Sequence, residues 1–198
     1  YTYKDILMHY YTDVEIASAS TAERLVAASL HSPAELRVYD SQNRVTGRIN
    51  GEIRNEIPNS IYDTIHDAVM IVFPVDSYCY EVAGIKAETY GLTITYVEEG
   101  RAATFFAYDI PTSIDSIHQY AIDWDALSLG EEGVTVQVDS DGDGVFEHTF
   151  ASDSELTKSE YLTAVNRDVA IVSVLPSATE VYVGQTINIT VIIKNEGT

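Results

Sequence analysis

Apolar and polar residues alternate along most of this chain with a period of two. Val134-Thr135-Val136-Gln137-Val138 is the clearest case, and Thr89-Tyr90-Gly91-Leu92-Thr93-Ile94 repeats it. Successive side chains of a strand point to opposite faces, so the pattern predicts half-buried β-strands. It places strands at 22–29, 35–39, 44–50, 68–73, 78–83, 89–97, 102–109, 118–123, 134–138 and 145–150. Turn-forming clusters separate them: Ser32-Pro33, Asp40-Ser41-Gln42-Asn43, Pro58-Asn59-Ser60, Pro74-Val75-Asp76, Glu98-Glu99-Gly100 and Pro111-Thr112-Ser113. Strands at this rhythm, with no helical pattern between them, predict a mainly β protein whose residues 17–157 form an antiparallel β-sandwich. Three stretches stand apart. Residues 1–16 carry a capping-box-like start at Thr2 and Asp5 and helical spacing of Ile6, Leu7, Tyr10 and Tyr11, which predicts an N-terminal helix. Residues 158–167 fall in a polar linker, with a short helix over 156–165 as the alternative. Residues 168–198 return to alternation, and Ile187, Ile189, Val191 and Ile193 give one strand a face that requires a core.

Candidate chemistry concentrates in Asp139-Ser140-Asp141-Gly142-Asp143-Gly144-Val145-Phe146-Glu147. Carboxylates at relative positions 1, 3, 5 and 9 around a turn glycine suit a hard cation that takes six to eight oxygen ligands, and this points to a structural Ca2+. Asp139, Asp141 and Asp143 would supply side-chain oxygens, Val145 its carbonyl, and Glu147 a closing ligand, directly or through water. Position 12, where an EF-hand has its bidentate Glu, is Phe150. The alternating flanks instead make the loop the turn of a β-hairpin, as in the short DxDxDGxx(D/E) loops of integrin-type propellers and many secreted β-domains, which it resembles. The competing reading is an Asp/Gly turn without a metal.

Charge narrows the partners. With 31 acidic against 11 basic residues the formal charge is -20, which argues against nucleic acid or anionic lipid and for cation binding. No run of about 18 apolar residues predicts a membrane helix, and the start has no charged-apolar-small leader, so the chain reads as a mature or excised form. The single cysteine, Cys79, makes an internal disulfide impossible and, lying between two tyrosines, reads as a structural thiol. Asn188-Ile189-Thr190 is an N-glycosylation sequon in a strand setting. The five histidines lack the spacing of a zinc site.

Three segments resemble known families. Tyr3-Lys4-Asp5-Ile6-Leu7-Met8-His9-Tyr10-Tyr11-Thr12-Asp13-Val14-Glu15-Ile16 looks like the closing stretch of SpoIID-type domains, peptidoglycan lytic transglycosylases whose catalytic glutamate lies upstream of it. Asp13 stands where that family usually has glycine. The segments 32–47 and 56–62 resemble accessory modules of large archaeal and bacterial secreted proteins, which implies an Ig-like, non-catalytic sandwich. Residues 168–198, with Val183-Gly184-Gln185-Thr186 and Lys194-Asn195-Glu196-Gly197-Thr198, look like the first half of a CARDB module, the cell-adhesion-related Ig-like repeat. The resemblance implies the opening strands of a second Ig-like module, partners among other domains of the same chain or other copies of it, and an extracellular or cell-surface location.

Asp123-Trp124-Asp125 holds the only Trp. Paired carboxylates beside an aromatic serve glycosidases and sugar platforms, but turn capping and hairpin termination explain them as well. No nucleophile, base and orienting group assemble from the motifs, so no catalytic residue is assigned. The leading expectation is a non-catalytic, calcium-stabilised structural or adhesion module of a secreted or surface protein. The alternatives are an accessory fragment of a cell-wall or glycan-active enzyme and a carbohydrate- or lipid-binding module, with cell-surface glycan as the partner.

Overall fold

The computed structural model describes residues 24–31, 33–166, 169–177, 182, 184, 186 and 188–195. The chain divides into two compact units, 1–156 and 157–198. The strands, in chain order, are β1 (Arg24–His31), β2 (Ala34–Tyr39), β3 (Val45–Ile49), β4 (Glu52–Asn55), β5 (Ser60–Asp63), β6 (Ala68–Val72), β7 (Cys79–Gly84), β8 (Glu88–Glu98), β9 (Arg101–Thr112), β10 (Ile117–Ile122), β11 (Val134–Asp139), β12 (His148–Ser152), β13 (Glu155–Thr157), β14 (Val169–Pro176) and β15 (Ile189–Asn195). Among the described residues two short helices join them, α1 (Trp124–Ser128) and α2 (Lys158–Val165).

The predicted mainly β, antiparallel sandwich is what forms. One sheet has the order β13-β9-β8-β1-β6-β5 and the other β12-β11-β10-β7-β2-β3-β4. Alternation supplies the core between them. Val26, Ala28 and Leu30 of β1 are buried with Leu92 and Ile94 of β8 and Phe105 of β9; Leu36, Val38, Val82, Val136 and Val138 are buried on the second sheet. Tyrosines enter the same interior, since Tyr80, Tyr90 and Tyr120 are among its largest fully buried side chains. A buried hydroxyl is costly without a partner, and of these three only that of Tyr80 has none among the described residues. Tyr90 exchanges hydrogen bonds with His118 Nδ1 at 2.8 Å and, closer still, with the Tyr120 hydroxyl. Burial holds the His118 imidazole at a pKa of about 4, so it stays neutral at physiological pH.

The second sheet also carries a charged ladder on its other side. Arg37 donates to Glu81 at 3.1 Å and to Glu35 at 2.9 Å, and Gln119 donates to the remaining Glu81 oxygen at 2.9 Å. Asn50 and Gly51 main-chain N–H groups close on Glu35. Neighbouring strands β2, β7 and β10 thus tie their registers together through side chains as well as the backbone.

Several sequence expectations shift. The strand expected over 145–150 begins only at His148, because residues 140–147 are all needed for the acidic loop. Pro111, read as a turn, lies inside β9 opposite Thr89. A bulge just before it, with Asp109 at φ 53°, breaks the ladder where a missing N–H is tolerated. β4, β5 and β13 were not anticipated. β4 is exposed along its whole length and so has no alternation to read; its Glu52 and Arg54 are charges of the kind that guard a sheet edge. The stretch taken as a linker or short helix is α2, whose Thr157 and Glu160 form a reciprocal capping box. The N-terminal helix, and with it the SpoIID-like segment, lies outside the described residues.

In the second unit β14 and β15 pair antiparallel, with a register shift between Ile171 and Ser173. Val174, Leu175, Ile189, Val191 and Ile192 are exposed there. Val191 and Ile192 are neighbours in sequence, so apolar side chains stand on both faces of β15.

Candidate metal centre

β11 and β12 form the predicted hairpin, with Val138 opposite His148 and residues 140–147 as its loop. Asp139 ends β11 opposite Ile117 of β10 and is only 2% exposed, whereas Asp141, Asp143 and Glu147 are exposed. One oxygen from each of the four carboxylates falls within 4.8 Å of the others. Charges this close repel by about 1–3 kcal/mol per pair at effective dielectrics between bulk water and a protein surface. A cation at their centre turns that repulsion into attraction.

The loop's own main chain holds the carboxylates in place. Gly142 N–H donates to Asp139 Oδ1 at 2.7 Å and Gly144 N–H to Asp139 Oδ2 at 2.9 Å. Asp143 N–H donates to Asp141 at 3.3 Å, Val145 N–H to Asp143 at 2.8 Å, and Ser140 N–H to Glu147 at 2.8 Å. Every carboxylate oxygen has two lone pairs, so these bonds aim the groups and leave acceptor capacity for an ion. Gly144 occupies relative position 6 with φ 89°, the sharp turn for which calcium loops use glycine. Gly142, at φ 75°, faces the β9–β10 connection so closely that a Cβ would stand 2.5 Å from the Asp115 carbonyl oxygen. The Ser113 hydroxyl donates to the Ser140 carbonyl oxygen at 3.3 Å, a second tie between loop and connection.

The four side-chain ligands read from the sequence are therefore brought together, and such a cluster could hold a metal ion. Phe150, at position 12, lies in β12 opposite Val136 and contributes no oxygen from its side chain. Comparison with family models, with curated proteins and with solved structures gave no match in any of the three. The fold and the loop thus rest on their own geometry.

The remaining sequence candidates separate from the loop. The Asp123 carboxylate caps α1, accepting from Asp125 N–H and Ala126 N–H at 3.1 Å each. Trp124 stacks on Tyr96, with ring centroids 5.5 Å apart and planes inclined 25°. The sequence pointed to Trp124 but not to Tyr96, because only the packing of one sheet on the other brings the end of β8 beside α1. Cys79 is half-buried and burial pushes its thiol up to about 11, which keeps it protonated. Asn188 is exposed just before β15, its N–H donating to the Ser177 hydroxyl at 3.0 Å. No helix among the described residues is long and apolar enough to cross a membrane.

Proposed function

We propose that this chain is a non-catalytic structural module that binds one calcium ion in the β11–β12 loop and is stabilised by it. The observation that carries the reading is the convergence of Asp139, Asp141, Asp143 and Glu147 within 4.8 Å, at relative positions 1, 3, 5 and 9 with a positive-φ glycine at 6. An all-oxygen set on a surface loop suits calcium, which accepts irregular geometry, better than magnesium, which demands an octahedron. In the proposed site the Val145 carbonyl adds a fifth protein donor and water completes the shell. A ligand that binds only the native state at a hundredfold excess over Kd adds about 2.7 kcal/mol. Melting with and without chelator tests this. The wild type should lose melting temperature on chelation, whereas Asp141→Ala should start lower and not respond. A wild type indifferent to chelator sinks the proposal.

The setting we propose is a secreted or cell-surface protein, in which the second unit belongs to an Ig-like, CARDB-like repeat. The support is the acidic composition, the resemblance of residues 168–198, and the exposed apolar residues on both faces of β15. Those faces suit completion by strands of another module of the same chain or of another copy. The non-catalytic reading is supported by a protonated Cys79 and by His118 sealed in the core. A turnover assay on peptidoglycan, ester and glycan substrates checks it, and activity that vanished in Asp123→Asn or Asp125→Asn would overturn it.

A further inference from the structure

Away from the acidic loop, the first unit contains a cleft of about 500 Å3 between the β6–β7 connection, the end of β8 and the start of α1. Its walls include Tyr78, Tyr96 and Trp124, with Arg24, Asp123 and Asp125 among its polar groups. All three aromatic side chains are partly exposed. Asp123 is committed to the α1 cap, which seats Trp124.

The shape of the aromatic wall selects the ligand. Tyr96 and Trp124 lie face to face, so the pair can offer a ligand one outer ring face, whereas a quaternary ammonium is held by rings turned around a sphere. A wholly apolar ligand would strip water from carboxylates and a guanidinium without replacing their hydrogen bonds. A pyranose satisfies both halves of the cleft: its C–H face covers one outer ring face, its hydroxyls donate to carboxylates, and its oxygens accept from Arg24. The carboxylates in the wall, on a chain of charge -20, disfavour an anionic sugar.

We propose that the Tyr96–Trp124 cleft is a binding site for a neutral saccharide, stacked on the outer face of this ring pair and hydrogen-bonded by Asp125 and Arg24. The site is separate from the acidic loop: Ile117 at one end of β10 pairs with Asp139, and Ile122 at the other end leads into Asp123.

Trp124 is the only tryptophan, so its emission reports on this cleft directly. The full chain, with calcium present, is titrated with maltotriose, cellotriose, mannotriose and N,N'-diacetylchitobiose, and in parallel with choline and glucuronate. The expected result is a saturable emission change with at least one neutral sugar and none with choline or glucuronate. Tyr96→Ala should weaken that binding about tenfold, the scale of one lost aromatic contact, and Tyr96→Phe should keep it. Asp125→Asn, at an exposed position, should weaken it severalfold at unchanged melting temperature; it decides the matter if Tyr96→Ala fails to fold. Absence of a saturable response to every neutral sugar, a response confined to choline or glucuronate, or full affinity in Tyr96→Ala or Asp125→Asn would each overturn the proposal. The calcium reading is judged by melting and stands or falls independently.

Discussion

The two ends of β10 carry the same kind of side chain put to opposite uses. Near Ile117, four carboxylates from one nonapeptide converge and are held, among the described residues, by main-chain N–H groups of their own loop. About 17 Å away, at roughly 3.3 Å per residue of strand, the carboxylates around Trp124 come from separate segments and several have protein partners. Ser41 donates to Asp76 through both N–H and hydroxyl, Arg24 pairs with Glu98 at 2.7 Å, and Asp123 caps α1. Acidity alone therefore does not make a cation site. What distinguishes the loop is that its charges face one another and, among the described residues, pair with no arginine, so a bound cation could balance them.

Three outcomes test how far the ends differ, beginning with the largest. Gly142→Ala should cost about 3 kcal/mol, since the Cβ meets the Asp115 carbonyl oxygen at 2.5 Å and the residue sits at φ 75°. Gly130, beyond α1, has φ 76° but open space around it, so Gly130→Ala should cost only about 1 kcal/mol. Urea titration of both variants measures the gap, and equal losses would mean that the loop is not pressed against its neighbour. The second outcome lies inside the sandwich, one residue along β10 from the loop end. His118 has a folded pKa near 4 against 6.5 when unfolded, so the unfolded state binds the proton first. Stability should be unaffected by this group above pH 7 and fall by about 2 kcal/mol between pH 7 and pH 5. The His118→Gln variant should flatten that slope; an unchanged slope would assign it to other groups. The smallest effect belongs to the cleft. Arg24 and Glu98 keep 54% and 39% of their side-chain surface exposed, so Arg24→Gln should shift stability by less than about 1 kcal/mol. A larger loss in thermal melting would mean that this wall is holding the sheet together and is not available to a ligand.

The same contrast explains what could be read from the chain. The acidic loop is local: its ligands, its glycine at position 6 and its flanking strands lie within a short stretch, so spacing alone carried the four side chains to one point. The strands with alternating burial, such as β8 and β11, were legible for the same reason. β4 was not, because an exposed edge strand hides no face. Nor was the pairing of Tyr96 with Trp124, or of Tyr90 with His118, each of which joins residues 28 apart across the two packed sheets. Pro111 misled because a bulge made room for it, and a bulge is a property of two strands together.

Gly84 and Gly142 grip the β9–β10 connection from two sides, and this bears on the order in which the protein assembles. A Cβ on Gly84 would stand 2.0 Å from the Ser113 carbonyl oxygen, and Asp115 N–H donates to the Gly84 carbonyl at 3.0 Å. The β11–β12 hairpin is a local structure and can close early. Its loop, however, cannot reach its final shape until residues 113–116 have docked on β7, a contact between distant parts of the chain. Carboxylate geometry is therefore completed only with that docking. If the docking follows the main barrier, a cation bound there would leave the rate of folding nearly unchanged and act as a brake on unfolding.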